Sequence, residues 1–177
     1  MKLHLGCGNK YFEKWTNIDI DKTVKADIYD DVMILEKINN ETASVIYACH
    51  ILEHLGRHEY LNALSVWSSK LKRKGKLIIA VPDFESVCNY FLKTNDIKSV
   101  TGLVCGGQKN NYDFHKTIFC FDQLKEDLAS IGFENIVRYD WKKFEMSHID
   151  DYSKSYLPHM DQKSGMLMSL NIEATKK

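Results

Sequence analysis

Apolar residues along this chain come in short strand-like runs that alternate with stretches of helical spacing. Leu3 and Leu5 flank His4 in a run that stops at Gly6, Cys7 and Gly8; a second run covers residues 15–20 and a third residues 24–28. Residues 44–49, SVIYAC, and 76–81, KLIIAV, are continuous apolar runs suited to strands buried on both faces, and Pro82 ends the latter by removing a ladder donor. Between them Tyr60, Leu61, Leu64, Trp67 and Leu71 recur at spacings that give residues 57–72 one apolar helix face. The basic run KLKRKGK then reads as a solvated helix C-terminus stopped by Gly75. Asp30 and Asp31 are expected to open an earlier helix, where carboxylates favour the positive end of the dipole. A helix at 85–93, an amphipathic helix at 121–131 closed by Gly132, and strands at 134–139 and 167–174 complete an alternation with seven strands. Residues 94–120 lose periodicity and carry Gly102, Gly106, Gly107, Asn110 and Asn111, which predicts a substrate-facing insertion.

Composition narrows the classes. At 177 residues with 44% hydrophobic side chains, the chain is expected to be one domain over residues 1–177 with a core of its own. Its 24 Lys and Arg balance 24 Asp and Glu, which argues against nucleic acid as a partner, since that binding needs a basic footprint. With no charged-then-apolar leader and no apolar run of about twenty residues, no membrane span is expected, and the location predicted is cytoplasmic. Cys7, Cys49, Cys88, Cys105 and Cys120 are odd in number and lack a CxxC pair, as reduced intracellular thiols would be.

The densest chemistry lies in residues 2–21, KLHLGCGNKYFEKWTNIDID: strand, glycine turn, strand, acid. In an open parallel sheet ligands sit outside the carboxyl ends of the strands. Gly6 and Gly8 can take positive φ there and let backbone approach a ligand closely. Asp19, ending the second strand, can accept both hydroxyls of a ribose. The nicotinamide fingerprint fits poorly, because a third glycine is missing and the acid comes too early. Only about six residues separate the turn from Trp15, too few for a crossover helix of about a dozen, so this connection is predicted to be loop.

LHLGCGN followed by WTNIDID resembles the first motif and second strand of the class I S-adenosylmethionine-dependent methyltransferases, in a compact, type 11-like subgroup associated with bacterial polysaccharide assembly. The likeness continues through LEHL, LKRKGKLIIAVPDFE, GGQKNNYDFHK, LASIGFENI and LMSLNIEATK. It departs at His4, where many members carry an acid, and at Lys10, where many have a third glycine. The resemblance implies an α/β fold with a doubly wound, Rossmann-like sheet of seven strands, mostly parallel with one antiparallel strand near the C-terminus. It implies S-adenosylmethionine as cofactor, held by Leu5, Gly6, Cys7, Gly8, Asp19, Ile20, Asp27 and Ile28, with Asp27 at the adenine amino group. The acceptor it implies is a small molecule or a sugar hydroxyl, and any lid must come from residues 94–120 or 142–166.

For methyl transfer to a hydroxyl, a base helps, and histidine titrates nearest neutrality. His50 follows the fourth strand and is the first candidate; the alternative is that it only lines the pocket. Asp83 follows by the same edge position, then His115 with Asp113 in the insertion. Tyr112, Phe114, Tyr152 and Tyr156 are candidates for an acceptor wall. The HILEH run also carries the HxxEH spacing of a metal site, with His50, Glu53 and His54. Its sequence offers no distinct third ligand, so no metal is expected, and Glu53 and His54 are read as bracing the following helix. Two other functions stay open: a catalytically inactive cofactor-binding module, and a zinc hydrolase built on HILEH. Oligomeric state is left open.

Overall fold

In the computed structural model, which describes residues 1–177, the chain forms strands β1 (Lys2–Leu5), β2 (Thr16–Asp19), β3 (Ile28–Tyr29) and β4 (Ala43–Cys49). Helix α1 (Tyr60–Lys70), β5 (Leu71–Pro82), α2 (Phe84–Thr94), α3 (Ile97–Cys105) and α4 (Phe121–Ser130) follow. The chain ends with β6 (Phe133–Arg138), the short β7 (Tyr156–Leu157) and β8 (Met166–Leu167), and β9 (Ser169–Lys176). One seven-stranded sheet has the order β3-β2-β1-β4-β5-β9-β6, while β7 and β8 pair separately. Strands β1 to β5 are parallel and β9 runs antiparallel between β5 and β6, so the antiparallel strand lies near the C-terminus as expected. The order reverses at β1, which pairs with β2 on one side and β4 on the other; this is where an open α/β sheet leaves a crevice.

Alternating side chains divide the sheet into two unlike faces. Leu3, Leu5, Ile46, Ala48, Leu77, Ile79, Val81, Leu170 and Ile172 enter the large core, packed against Tyr60, Leu64 and Trp67 of α1 and Leu124 and Leu128 of α4. Tyr47 and Ile78 point the other way, into a smaller cluster with Phe12, Trp15 and Met146. Loops cover that second face. It holds His4, which stacks on Phe12 at 3.8 Å and meets Asn17 Oδ1 through Nδ1 at 3.1 Å. The second helical layer of a doubly wound sheet is thus largely replaced by the 9–15 loop and the 140–155 segment. Helices α2 and α3 form a third small cluster around Val87, Tyr90, Val100 and Met168.

The connection from β1 to β2 is loop, as its length predicts. Asn17, fully buried, takes the place of helical hydrogen bonding: its Oδ1 accepts from Phe12 N, and its Nδ2 donates to Phe12 O and Trp15 O. No helix starts at Asp30 or Asp31; residues 31–41 are turns, in which Asp31 accepts from Met33 N and Asp30 from Lys37 N. Helix α1 is shorter at both ends than the periodicity implied. Its last carbonyls, Ser69 O and Lys70 O, accept from Glu41 N and Thr42 N on the way into β4, so the chain turns directly into β5. The basic run is therefore not a helix end. Ala43 pairs with Leu71 and Val45 with Lys76, which leaves Lys72, Arg73 and Lys74 bulged into solvent, and buried Gly75 sits where a Cβ would meet Lys72 O at 2.8 Å. Residues 94–120 are also not wholly irregular, since Asp96 caps α3 by accepting from Ser99 N. No helix is long and apolar enough to cross a membrane.

Candidate active site

The carboxyl ends of β1, β2 and β4 present Gly6, Asp19 and His50 to the crevice. Gly6 and Gly8 both have positive φ, 58° and 48°. A Cβ on Gly6 would lie 2.0 Å from Ile51 Cδ1, so the turn is closely covered on that side; one on Gly8 would meet nothing within 4 Å. Asp19 is nearly buried and does two backbone jobs, accepting from Gly8 N through Oδ2 at 2.7 Å and from Asp21 N through Oδ1 at 2.9 Å. Each oxygen keeps acceptor capacity for a ligand. Gly6, Asp19 and Ile20 line a cleft of about 280 Å³ whose other walls are Asp31, Val32, Met33, Ile51, His54, Leu55, Asn111, Tyr112 and Lys116.

The remaining expected cofactor residues lie elsewhere. Leu5 and Cys7 are buried beneath the turn; the Cys7 thiol points to Lys25 O at 3.7 Å, and burial, aided by the Asp19 charge, pushes its pKa up to about 12. It is a packing residue and not a nucleophile. Ile28 packs against the main core. Asp27 falls just before β3 instead of after it, and its carboxylate is consumed by Tyr11 Oη at 2.6 Å, Asn17 N at 2.7 Å and Asn17 Nδ2 at 3.0 Å. It does not reach the cleft. Asp31, two residues past β3, does; the signal for it in the sequence was the same strand-then-acid order, misplaced because the third strand is shorter and later than residues 24–28.

A second cavity, about 340 Å³, adjoins the first at His54, which lines both. His50 and His115 face it with Asp113, Lys109, Tyr152, Tyr156 and His159, so segments 94–120 and 142–166 form its far walls. Phe114 is not among its lining residues, and Tyr112 belongs to the first cleft. Lys10 lines a third recess, of about 240 Å³, with Asp150, Asp151 and Tyr152.

His50 holds a left-handed backbone, φ 54°, and its N–H donates to Ala80 O across to β5. Its Nδ1 is 3.0 Å from Glu53 Oε1 and its Nε2 is 3.5 Å from Ser169 Oγ. Glu53 is 1% exposed, and apart from His50 Nδ1 beside Oε1 no donor reaches either carboxylate oxygen. Burial opposes its charge, but the neighbouring imidazoles, His50 first and then His54, outweigh that and keep the carboxyl below its usual range. His115 donates from Nδ1 to Leu103 O at 3.0 Å, and burial lowers its pKa despite Glu53. Glu53 and His54 do not brace α1. They sit in a separate turn, Leu52–His54, tied to the insertion through Lys116 N and Thr117 N, which both donate to Glu53 O.

Asp83 is not brought to this cavity. It caps α2 by accepting from Glu85 N at 3.2 Å and pairs with Arg138 at 3.0 Å, which turns the carboxylate toward β6.

No family model matches the chain, and no curated protein matches it. Solved structures do match. A SAM-dependent methyltransferase from Archaeoglobus fulgidus aligns with 16% identity and a TM-score of 0.62, over 99% of this chain and 85% of that one. One from Thermotoga maritima gives 15% identity and a TM-score of 0.66, over 99% and 82%. One from Methanosarcina mazei gives 11% and 0.61, over 99% and 91%. What this chain shares with them is the class I methyltransferase fold.

Proposed function

We propose that the protein is an S-adenosylmethionine-dependent methyltransferase that acts on a hydroxyl of a small molecule, with a sugar hydroxyl of surface-polysaccharide assembly as the acceptor class. One observation carries the reading: the Asp19 carboxylate faces a cleft at the strand-order reversal, and that cleft adjoins, at His54, a polar cavity bearing His50. The donor set fits the cofactor. Asp19 has an acceptor position on each oxygen for the two ribose hydroxyls, and Ile20, Val32, Met33, Ile51 and Leu55 offer apolar walls for a purine. When bound, S-adenosylmethionine supplies an electrophilic methyl on a sulfonium, so the protein's work is alignment and handling of one proton.

On the acceptor side, Glu53 beside Nδ1 favours the His50 tautomer with its proton there, so that Nε2, which has only Ser169 Oγ beside it at 3.5 Å, can take the acceptor hydroxyl's proton. The histidines, Asp113 and Tyr152 suit a hydroxyl-rich acceptor, and Tyr152 stands 5.2 Å from the His50 ring, centroid to centroid. The five free cysteines fit a reducing compartment, the cytoplasm in this reading.

Calorimetry tests the cofactor. Wild type should bind S-adenosylmethionine with Kd of about 1 μM, roughly −8 kcal/mol, and Asp19→Ala should bind it far more weakly. Absence of binding by wild type removes the reading. In an acceptor screen, His50→Gln should lower turnover about 10²- to 10⁴-fold while leaving cofactor affinity intact.

A further inference from the structure

We infer that Glu53, His54 and His115 form a binding site for a divalent transition-metal ion of the Zn²⁺ or Mn²⁺ class, at the wall where the two cavities meet. Three independent features converge. The ligand atoms of the three residues all lie within 4.8 Å of one another, and Glu53 Oε1 is 3.9 Å from His115 Nε2. Ligands about 2.1 Å from a tetrahedral ion are about 3.4 Å apart, so small rotations of half-buried His54 and His115 close the site. Glu53 and His54 of the HILEH run thus meet a third ligand that the run itself lacks, His115, some sixty positions away.

Second, Glu53 is 1% exposed, and apart from His50 Nδ1 beside Oε1 neither carboxylate oxygen has a donor. A buried carboxylate with so few partners is costly, and a cation beside it lowers that cost. Third, the imidazoles are already set in the ligating tautomer. His54 Nδ1 donates to Phe114 O at 3.1 Å and His115 Nδ1 donates to Leu103 O at 3.0 Å. Each Nε2 lone pair is thereby left free, the arrangement in which backbone carbonyls orient metal-bound histidine. Two imidazole nitrogens and one carboxylate suit first-row transition ions, zinc strongly and manganese more weakly, over magnesium or calcium, which prefer all-oxygen shells.

Three protein ligands leave positions open toward the cavity, where His54 and His115 sit beside His50. An acceptor hydroxyl taken up there would be held next to the His50 base and made more acidic. That role rests on the methyl-transfer reading; the ion site itself rests on side-chain geometry alone.

The test uses the full chain stripped with chelator and titrated with ZnCl₂, MnCl₂ and MgCl₂ in the absence of cofactor and acceptor. Expected is one equivalent of Zn²⁺ or Mn²⁺ bound with Kd of about 10 μM or tighter, and much weaker Mg²⁺ binding. His54→Gln and His115→Ala should each weaken it at least about tenfold, while exposed His148→Ala leaves it unchanged. Thermal melting in chelator shows whether each variant is folded, and two half-buried positions guard against the loss of one. No binding by the wild type, or equal binding by both folded variants, overturns the site. Ion binding by a protein that fails to bind S-adenosylmethionine supports the site and removes the methyl-transfer reading instead.

Discussion

Gly8 donates its backbone N–H to Asp19 Oδ2 at 2.7 Å, tying the glycine turn after β1 to the acid that ends β2. The carboxylate therefore shapes the turn and lines the cleft with the same atoms. Asp19→Ala should cost both functions, with cofactor affinity falling about 10- to 100-fold, the equivalent of a charged hydrogen bond. Asp19→Asn retains one acceptor oxygen for Gly8 and should lose less. Calorimetry reads the affinity, and thermal melting reads the turn. Unchanged affinity in both variants would dissociate Asp19 from binding.

Gly6 and Ile51 are in conflict as soon as a methyl is added. With φ at 58° and Ile51 Cδ1 2.0 Å from the added Cβ, Gly6→Ala should destabilise by about 1–3 kcal/mol through left-handed strain and overpacking. Ile51→Ala leaves only the Ile51 Cβ, 3.7 Å from that position. In that background Gly6→Ala should cost less, and a double-mutant cycle in denaturant measures the difference. Additive losses would mean that backbone strain alone is responsible.

Acid sensitivity should trace to His4. Burial against Phe12 lowers its pKa from 6.5 to about 4, only partly offset by the Asn17 hydrogen bond. Between those values the unfolded chain holds more protons than the folded one, so stability is full above pH 6.5 and declines as pH falls toward 4. The loss should approach about 3 kcal/mol. His4→Phe preserves the stack and should flatten the pH dependence of urea unfolding across that window. A slope that persists in the variant would assign it to other groups.

Asp83 is expected to matter for stability and not for turnover. Asp83→Asn weakens the α2 cap and the pair with half-exposed Arg138, for a loss of about 1–3 kcal/mol. Turnover per folded molecule should stay within about threefold of wild type, since its carboxylate faces β6. A fall as large as that expected for His50→Gln would return Asp83 to the chemistry.

Strand succession was legible in the chain because apolar runs and glycine turns are local signals: β1, β2, β4 and β5 follow Leu3, Ile18, Ile46 and Ile79, with Gly6 just past the end of β1 and Asp19 at the end of β2. Element ends were less so. Helix α1 stops where carbonyls on Ser69 and Lys70 meet Glu41 and Thr42, partners some thirty residues away that periodicity cannot register. The orientation of carboxylates was also beyond the pattern, because Asp27 and Asp83 stand near strand ends yet are claimed by Asn17, Tyr11 and Arg138. Sequence alone therefore determined which strands present residues at the sheet's carboxyl edge, since alternation and turns act between neighbours. Only the tertiary structure decided which acids remain free there, and that His115 meets Glu53 and His54, because those pairings join segments that approach each other only when the chain is folded.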